Sequence, residues 1–157
     1  KEYDNLVVVR TLSKSRALAG LRVGYALGSP NLISGLCCVR DSINSYTVDR
    51  LAQAGAVAAL EDGPYFEEMR ERVIRTRERT EERLRAMGFA VLESKANFLF
   101  VSHPKRTGKA LLDGLREQGI LVRWFDRPRI GNYLRISVGT DDEMDALRAA
   151  LKALTEG

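Results

Sequence analysis

The sequence predicts an α/β fold, in which two short strand segments and two helices lead into a long helix and a small two-layer α/β unit follows. Three observations support this prediction. β-branched runs without helical period lie near the N-terminus, a stretch of about six turns carries apolar residues at helical spacing, and short apolar runs then alternate with helical patterns. With 157 residues and 45% hydrophobic side chains, the chain can fill a core.

The first predicted elements are two apolar runs, LVVV at 6–9 and VGYAL at 23–27, which suit buried strands joined by a loop. Helices are predicted at about 30–39, where Pro30 can start a helix, and at 48–60, which is rich in alanine. Two strands and two helices make too little sheet for a finished domain. We therefore expect the chain to start inside a domain.

The most regular predicted element is a helix at 64–87, which ends before Gly88. One face of this helix carries Glu and Arg at i,i+4 spacing and is predicted to be solvated, while the opposite face is apolar. Because it begins at a Gly-Pro break and is long, we interpret it as a connector between domains. Its predicted apolar face consists of Phe66, Met69, Val73, Thr76, Thr80, Leu84 and Met87.

The remaining pattern is that of a small two-layer α/β domain. Strands are predicted at 89–92, 97–102, 120–124 and 133–138, and helices at 107–118, ending at Gly119, and 141–154. The predicted organisation is therefore the incomplete end of a larger domain at 1–63, the connector at 64–87, and a C-terminal domain at 88–157.

Charge and composition exclude some classes of function. The net charge of +4 comes from 25 Lys and Arg against 21 Asp and Glu, and the basic residues are spread along the chain without interleaved aromatics. This pattern does not favour nucleic-acid binding. No apolar run reaches about 18 residues, so no membrane span is predicted and a cytoplasmic location is expected.

The cysteines and the histidine do not predict a metal site. Cys37 and Cys38 are adjacent, a spacing that suits neither a disulfide framework nor zinc, and are predicted to be buried thiols. His103 is the only histidine and is predicted to lie in a loop.

Lys14 follows the first strand directly, where a lysine is rarely useful unless its amine reacts. Such an amine can form a Schiff base with an aldehyde cofactor. Thr11, Ser13 and Arg22 offer two hydroxyls and a guanidinium, the groups that a phosphate monoester needs. On spacing alone, a plain loop with an exposed lysine explains the pattern equally well.

Glycines flank Arg22 at positions 20 and 24 and are predicted to let the backbone approach closely around it. Nucleotide-binding motifs are not found: G-x-G-x-x-G is absent, and RTGKA at 106–110 lacks the first glycine of a P-loop.

The run RTLSKSRALAGLRVGY at 10–25 resembles the lysine segment of fold type I pyridoxal-phosphate enzymes, and specifically the histidinol-phosphate aminotransferase branch of the class I/II aminotransferases. KANFLFV at 95–101 and NYLRISVGT at 132–140 extend the resemblance along the chain. This resemblance implies that the chain is the C-terminal part of a homodimeric transferase with pyridoxal 5′-phosphate as cofactor. The implied reaction moves an amino group between histidinol phosphate and 2-oxoglutarate, by a ping-pong mechanism, in histidine and hence amino-acid biosynthesis.

The resemblance also implies roles for single residues. Lys14 would hold the cofactor and shuttle a proton once displaced by substrate, while Thr11, Ser13 and Arg22 would hold the cofactor phosphate. Arg16 departs from the family pattern, because an aromatic residue usually stands there.

The substrate is assigned to two arginines by the same resemblance. Arg135 would bind the substrate carboxylate or its equivalent end, which suits a bidentate guanidinium. Arg123 would face the substrate phosphate, with Arg127 and Arg129 as competitors for that role, and Asn97 is assigned only to shaping the site. Ser45-Tyr46-Thr47 departs from the Pro-Phe/Tyr-Asn of many members, which leaves substrate choice more open than cofactor chemistry.

Alternatives remain at this stage. Threonine-phosphate decarboxylases share nearly the same lysine segment, aromatic aminotransferases belong to the same branch, and a dimerisation or interaction segment without chemistry is the non-enzymatic interpretation. Family members place upstream of this segment the aspartate that pairs with the pyridine nitrogen, a stacking aromatic and a tyrosine lent by the partner subunit. We therefore expect the 157 residues alone neither to bind cofactor tightly nor to turn over.

Overall fold

A computed structural model of the protein describes residues 3–156. The chain divides into two compact units, with the boundary between Arg70 and Glu71. This boundary falls inside the longest helix, in the segment that the sequence predicts to be a connector. The division into three parts at 63 and 87 stays a prediction.

The first unit is built on a two-stranded antiparallel sheet in which Val7 pairs with Gly28 and Thr11 pairs with Gly24. Its elements are β1 (Val7–Thr11), α1 (Leu12–Ser15), a 3-10 turn (Ala19–Leu21), β2 (Gly24–Gly28), α2 (Pro30–Ile43) and α3 (Arg50–Glu61). The loop predicted around Lys14 is wrong in detail, because α1 starts at once after β1. Thr11 caps it by accepting a hydrogen bond from the Ser13 amide.

The prediction that both strands are buried is wrong for the described chain. Val9 and Leu27 are 75% and 58% exposed, because β1 and β2 pair only with each other among the described residues. The hydrophobic residues buried in this unit are Leu12, Ala52 and Ala56. The prediction that the two thiols are buried is wrong for a similar reason. Helix α2 buries none of its described residues, so Cys37 is half-buried and Cys38 is exposed.

The long helix α4 (Gly63–Ala86) confirms the most regular predicted element. Gly88, with φ of +87°, ends it as predicted: the Gly88 amide donates to Arg85 and the Phe89 amide donates to Leu84, the pair of bonds of a Schellman motif. The same pattern at Gly119, with φ of +76°, ends α5 (Gly108–Glu117). No helix in residues 3–156 combines the length and the apolar character needed to cross a bilayer.

The second unit has two layers, as predicted. Its sheet contains β3 (Ala90–Val91), β4 (Phe98–Ser102), β5 (Arg123–Trp124) and β6 (Leu134–Ser137), in the order β3-β4-β6-β5 with all pairs antiparallel. Alternate residues of β4 and β6 point to a core shared with α4, α5 and α6 (Asp141–Glu156), which buries Leu99, Val101, Leu134 and Ile136. The intervening residues of both strands lie on the opposite face and keep solvent exposure.

Two polar side chains of this unit are buried, and for one of them, Arg77, this contradicts the predicted solvated face. His103 comes directly after β4 and is 6% exposed, because it packs on the ring of Phe89 at 4.8 Å between centroids. Arg77, on the α4 face predicted to be solvated, is 4% exposed and donates to the carbonyl of Ala96 at 3.2 Å. A local charge pattern could not reveal these contacts, because their partners lie 14 or more residues away.

Replacing Leu99 by alanine should destabilise the second unit by about 2–5 kcal/mol, since Leu99 is fully buried in the core. The only tryptophan, Trp124, lies in this unit, so its fluorescence during urea unfolding reports on it. Leu121→Ala makes the same change at a side chain that is 82% exposed and should leave the midpoint almost unchanged. Equal shifts for both variants would contradict the described core.

Asp141 begins α6 and accepts a hydrogen bond of 2.6 Å from the hydroxyl of Thr76. This bond, with the nearby charge of Arg79, holds the pKa of Asp141 below its ordinary value of 3.8. Since the folded pKa is depressed, the resulting stability is present above pH 3.8 and is lost as the pH falls through the lower folded value.

Thr76→Val should therefore raise the pKa of Asp141 towards 3.8, measured by an NMR titration of its carboxyl carbon. Thr80→Val is the matched control, because the Thr80 hydroxyl donates to the carbonyl of Thr76 and not to a carboxylate. An unchanged Asp141 pKa in Thr76→Val would show that the hydrogen bond is not the main cause.

Candidate functional site

Lys14 lies in α1, on the short turn that follows β1. Leu12, 2% exposed, anchors this turn in the small core of the first unit, while the Lys14 side chain stays exposed. The hydroxyls of Thr11 and Ser13 are hydrogen-bonded at 2.8 Å. Thr11, Ser13 and Lys14 therefore lie on one turn, in which the two hydroxyls are in contact and the amine is exposed.

Arg22 is brought to the same turn by backbone pairing. The amide of Leu12 donates to the carbonyl of Val23 at 3.1 Å, so the residue after Arg22 lies beside the start of α1. Arg22 itself has φ of +56°, a left-handed conformation that is uncommon for a residue with a side chain. Its guanidinium donates to the carbonyl of Ala19 at 3.0 Å. A strained backbone at a residue with a candidate role is typical of functional sites.

The two glycines predicted to permit close approach differ. At Gly24, a Cβ would lie 2.9 Å from the carbonyl oxygen of Arg10, so the pairing of β1 with β2 requires glycine there. At Gly20, a Cβ would meet no atom within 4 Å, and the prediction for that position is wrong. Space around Gly20 is open, so sterics do not select a glycine there.

Arg16 is the residue near Lys14 whose role the sequence did not reveal. Its guanidinium donates to the carbonyl of Ala59 at 2.7 Å, in the last turn of α3, and lies 3.8 Å from the ring centroid of Phe66. A cation favours both the C-terminus of a helix and the face of an aromatic ring. Arg16 thus connects the turn of Lys14 to two helices of the first unit, α3 and α4.

The second unit holds the other candidate residues. Arg123 on β5 and Arg135 on β6 are direct partners across the antiparallel ladder, so both side chains leave the same face of the sheet. Both are exposed, and neither forms an ion pair with any residue in the range 3–156. Two guanidiniums on the same face of the sheet, without a carboxylate partner among residues 3–156, suit an anion with two or more negative oxygens.

The register also separates Arg123 from its competitors. Arg127 and Arg129 lie in the turn after β5 and have no ladder partner on β6, while Arg123 lies opposite Arg135. Asn97 is exposed, and its backbone carbonyl accepts from the Val138 amide at 2.9 Å, which extends the pairing of β4 with β6.

Comparison with known proteins gives a consistent result. A family model described as aminotransferase class I and II matches residues 1–151. A histidinol-phosphate aminotransferase of Clostridium beijerinckii is 54% identical over 151 residues, covering 96% of this chain and 42% of that protein. The chain therefore spans less than half the length of this relative.

Solved structures show the same partial coverage. A histidinol-phosphate aminotransferase from Sinorhizobium meliloti, crystallised in complex with pyridoxal-5′-phosphate, superposes with a TM-score of 0.86 at 32% identity, covering 99% of this chain and 42% of that one. A structure described as a decarboxylase from Sulfurospirillum multivorans gives 0.83 at 28% identity, covering 98% and 45%. These matches confirm the fold class predicted from the sequence.

Proposed function

The chain belongs to the class I and II aminotransferase family, and from this premise we propose that it supplies the lysine-bearing part of a pyridoxal-phosphate-dependent aminotransferase. The observation that carries the proposal is the turn that joins Lys14 to the hydroxyls of Thr11 and Ser13 and, through Val23, to Arg22. The family match and the cofactor named for the Sinorhizobium meliloti structure support it.

The residues of this turn fit the cofactor. Two hydroxyls and a guanidinium are donors that suit a phosphate monoester, and we assign Thr11, Ser13 and Arg22 to that group. Pyridoxal phosphate supplies an aldehyde that reacts with amines and a conjugated ring that withdraws electrons from the amino donor. The exposed amine of Lys14 is free to react because no carboxylate of the described residues holds it in an ion pair.

Lys14 has a second task in this proposal. Once the amino donor has displaced it from the cofactor, its neutral Nζ would take the proton from Cα of the donor as general base and deliver it, as general acid, to the carbon that carried the aldehyde. The capped turn of α1 and the buried Leu12 keep the amine in place while it does so.

The proposed substrates are histidinol phosphate as amino donor and 2-oxoglutarate as acceptor, as in histidine biosynthesis. The paired guanidiniums of Arg123 and Arg135 support this choice, because a phosphate dianion and a carboxylate both accept bidentate hydrogen bonds from arginine. The name of the 54% identical relative supports the same choice.

The test uses the enzyme that carries this chain, incubated with histidinol phosphate and 2-oxoglutarate. Formation of imidazole-acetol phosphate and glutamate in equal amounts is the expected result. The second candidate, threonine-phosphate decarboxylase, is favoured by the structural match to a decarboxylase and predicts carbon dioxide release from threonine phosphate instead. Turnover of aromatic amino acids without a phosphate substrate would point to an aromatic aminotransferase.

We also propose a homodimer and a cytoplasmic location for this enzyme. Sedimentation at several concentrations and cell fractionation test these two proposals separately from the chemistry. Dimerisation without any turnover on the substrates named above would favour the non-enzymatic interpretation of the chain.

A further inference from the structure

Phe125, the residue directly after β5, is close to both arginines of the pair. Its ring centroid lies 5.4 Å from the guanidinium carbon of Arg123 and 5.7 Å from that of Arg135. The ring of Phe98, at 5.6 Å, is a second aromatic neighbour of Arg135. Cations within about 6 Å of a ring centroid are attracted by the negative face of the ring. The ring of Phe125 therefore lies within 6 Å of two guanidinium carbons, those of Arg123 and Arg135.

This arrangement bears on the repulsion between the two arginines. Arg123 and Arg135 are opposite residues of an antiparallel ladder, and like charges in such a pair repel each other. Without a carboxylate partner, long side chains in this position would turn apart into solvent. A shared ring gives both guanidiniums a favourable contact near each other and so keeps the two charges together.

The position of Phe125 is fixed from both ends of its turn. The carbonyl of Phe125 accepts from the Arg127 amide at 2.9 Å, and the indole of Trp124 donates to the Gly131 carbonyl at 2.6 Å. The side-chain oxygen of Asn132 accepts from the Gly108 amide at 2.9 Å, at the start of α5. The backbone at Asn132 packs closely against the start of α5, because a Cβ on Gly108 would lie 2.9 Å from the carbonyl carbon of Asn132.

We propose that Phe125 is a positioning residue that holds Arg123 and Arg135 together as the receptor for one dianionic group, a phosphate monoester. The proposal rests on the proposed function in that the two arginines receive the anionic end of a substrate. It adds to that function Phe125, which sets the spacing of the two arginines. The position of Phe125 is set in turn by the hydrogen-bonded segment after β5, which Asn132 connects to the start of α5.

The test measures anion binding by the enzyme that carries this chain, with inorganic phosphate as probe at low ionic strength. Arginine side-chain Nε–Hε signals of Arg123 and Arg135 in NMR spectra follow the titration. Phe125→Leu keeps an apolar side chain but removes the ring, and we expect it to weaken phosphate binding by about fivefold or more. Phe125→Tyr keeps the ring and should bind as the parent enzyme does.

Two further variants separate positioning from general loosening. Phe89→Leu makes the same substitution at a core ring that packs on His103, and it should leave phosphate affinity unchanged. Asn132→Ala removes the acceptor for the Gly108 amide and should weaken binding as Phe125→Leu does, while Asn132→Asp keeps an acceptor and should restore it. If Phe125→Leu fails to fold, the Asn132 variants test whether the position of Phe125 affects phosphate binding.

The outcomes are distinguishable. Phosphate binding that is unaffected by Phe125→Leu, or by Asn132→Ala should the former not fold, overturns the role of Phe125 and leaves the proposed function standing. Absence of phosphate binding at Arg123 and Arg135 in the parent enzyme overturns the arginine pair as an anion receptor, and with it both this proposal and the substrate assignment. In the enzyme that carries the chain, Phe125→Leu should raise KM for the phosphate substrate while kcat stays near the parental value, and a fall in kcat alone contradicts positioning of the pair.

Discussion

Replacing Lys14 by arginine is expected to abolish transamination in the enzyme that carries this chain. Arginine keeps the positive charge on α1 but stays protonated, so it can neither react with an aldehyde nor accept a proton. Loss of a general acid and base alone costs about 10²–10⁴-fold in rate, and loss of covalent chemistry adds to it. We expect kcat to fall by at least about 10³-fold.

Two measurements check this expectation. One is the steady-state rate, and the other is mass spectrometry after incubation with pyridoxal phosphate and reduction by borohydride, which fixes the cofactor on the amine that holds it. The added mass should be found on the peptide that contains Lys14 and be missing from Lys14→Arg.

Lys95→Arg is the matched control, because the Lys95 side chain is also exposed, at 82%, and the substitution is the same. It should retain both activity and labelling at Lys14. Labelling spread equally over Lys14 and Lys95 in the parent enzyme, or full activity of Lys14→Arg, would rule out the assigned role.

Replacing Arg135 by glutamine should weaken the binding of both substrates, because we propose that its guanidinium receives the anionic end of each in turn. Charge-assisted hydrogen bonds contribute about 1.5–3 kcal/mol each, so removing both bonds of a bidentate pair costs about 3 kcal/mol or more. That corresponds to a fall in kcat/KM on the order of 100-fold. Arg135→Lys keeps the charge but cannot form the bidentate pair of hydrogen bonds, so its kcat/KM should lie between those of the parent enzyme and Arg135→Gln.

Arg116→Gln removes the same charge from α5, on the helical layer of the same unit, and should leave kcat/KM unchanged. Steady-state kinetics for each substrate separately are the measurement. A fall confined to one substrate would limit Arg135 to that substrate, and equal activities of Arg135→Gln and Arg116→Gln would remove it from the site.

Local patterns predicted the helices and the second unit well, for physical reasons. The apolar spacing of α4 and the glycines at 88 and 119 act within a few residues of themselves, so their effect is visible in the sequence. The short apolar runs at 97–102 and 133–138 likewise predicted β4 and β6 to within a residue at each end. The candidate turn at Lys14 was predicted by the identity and spacing of its polar residues together with the family resemblance.

What could not be predicted depends on contacts between distant positions. Exposure of β1 and of Cys38 follows from the small number of elements that pack on the first unit, which no local pattern reports. Arg16 finds its partners 43 and 50 residues further along, and the position of Phe125 beside the arginines needs the register of β5 with β6. Cross-strand register becomes visible only once the strands are paired.

The contact of Arg16 with Phe66 links the first turn of α4 to the turn that carries Lys14. Arg16 is two residues from Lys14, and its guanidinium is held at once by the end of α3 and by the ring of Phe66. A displacement of that ring would move Arg16 and, with it, the end of α1. Neither Phe66 nor Arg16 is assigned to the cofactor or the substrate. Under the proposed function, a substitution at Phe66 should therefore change turnover, although Phe66 is far from Lys14 in the chain and the groups assigned to cofactor and substrate stay the same.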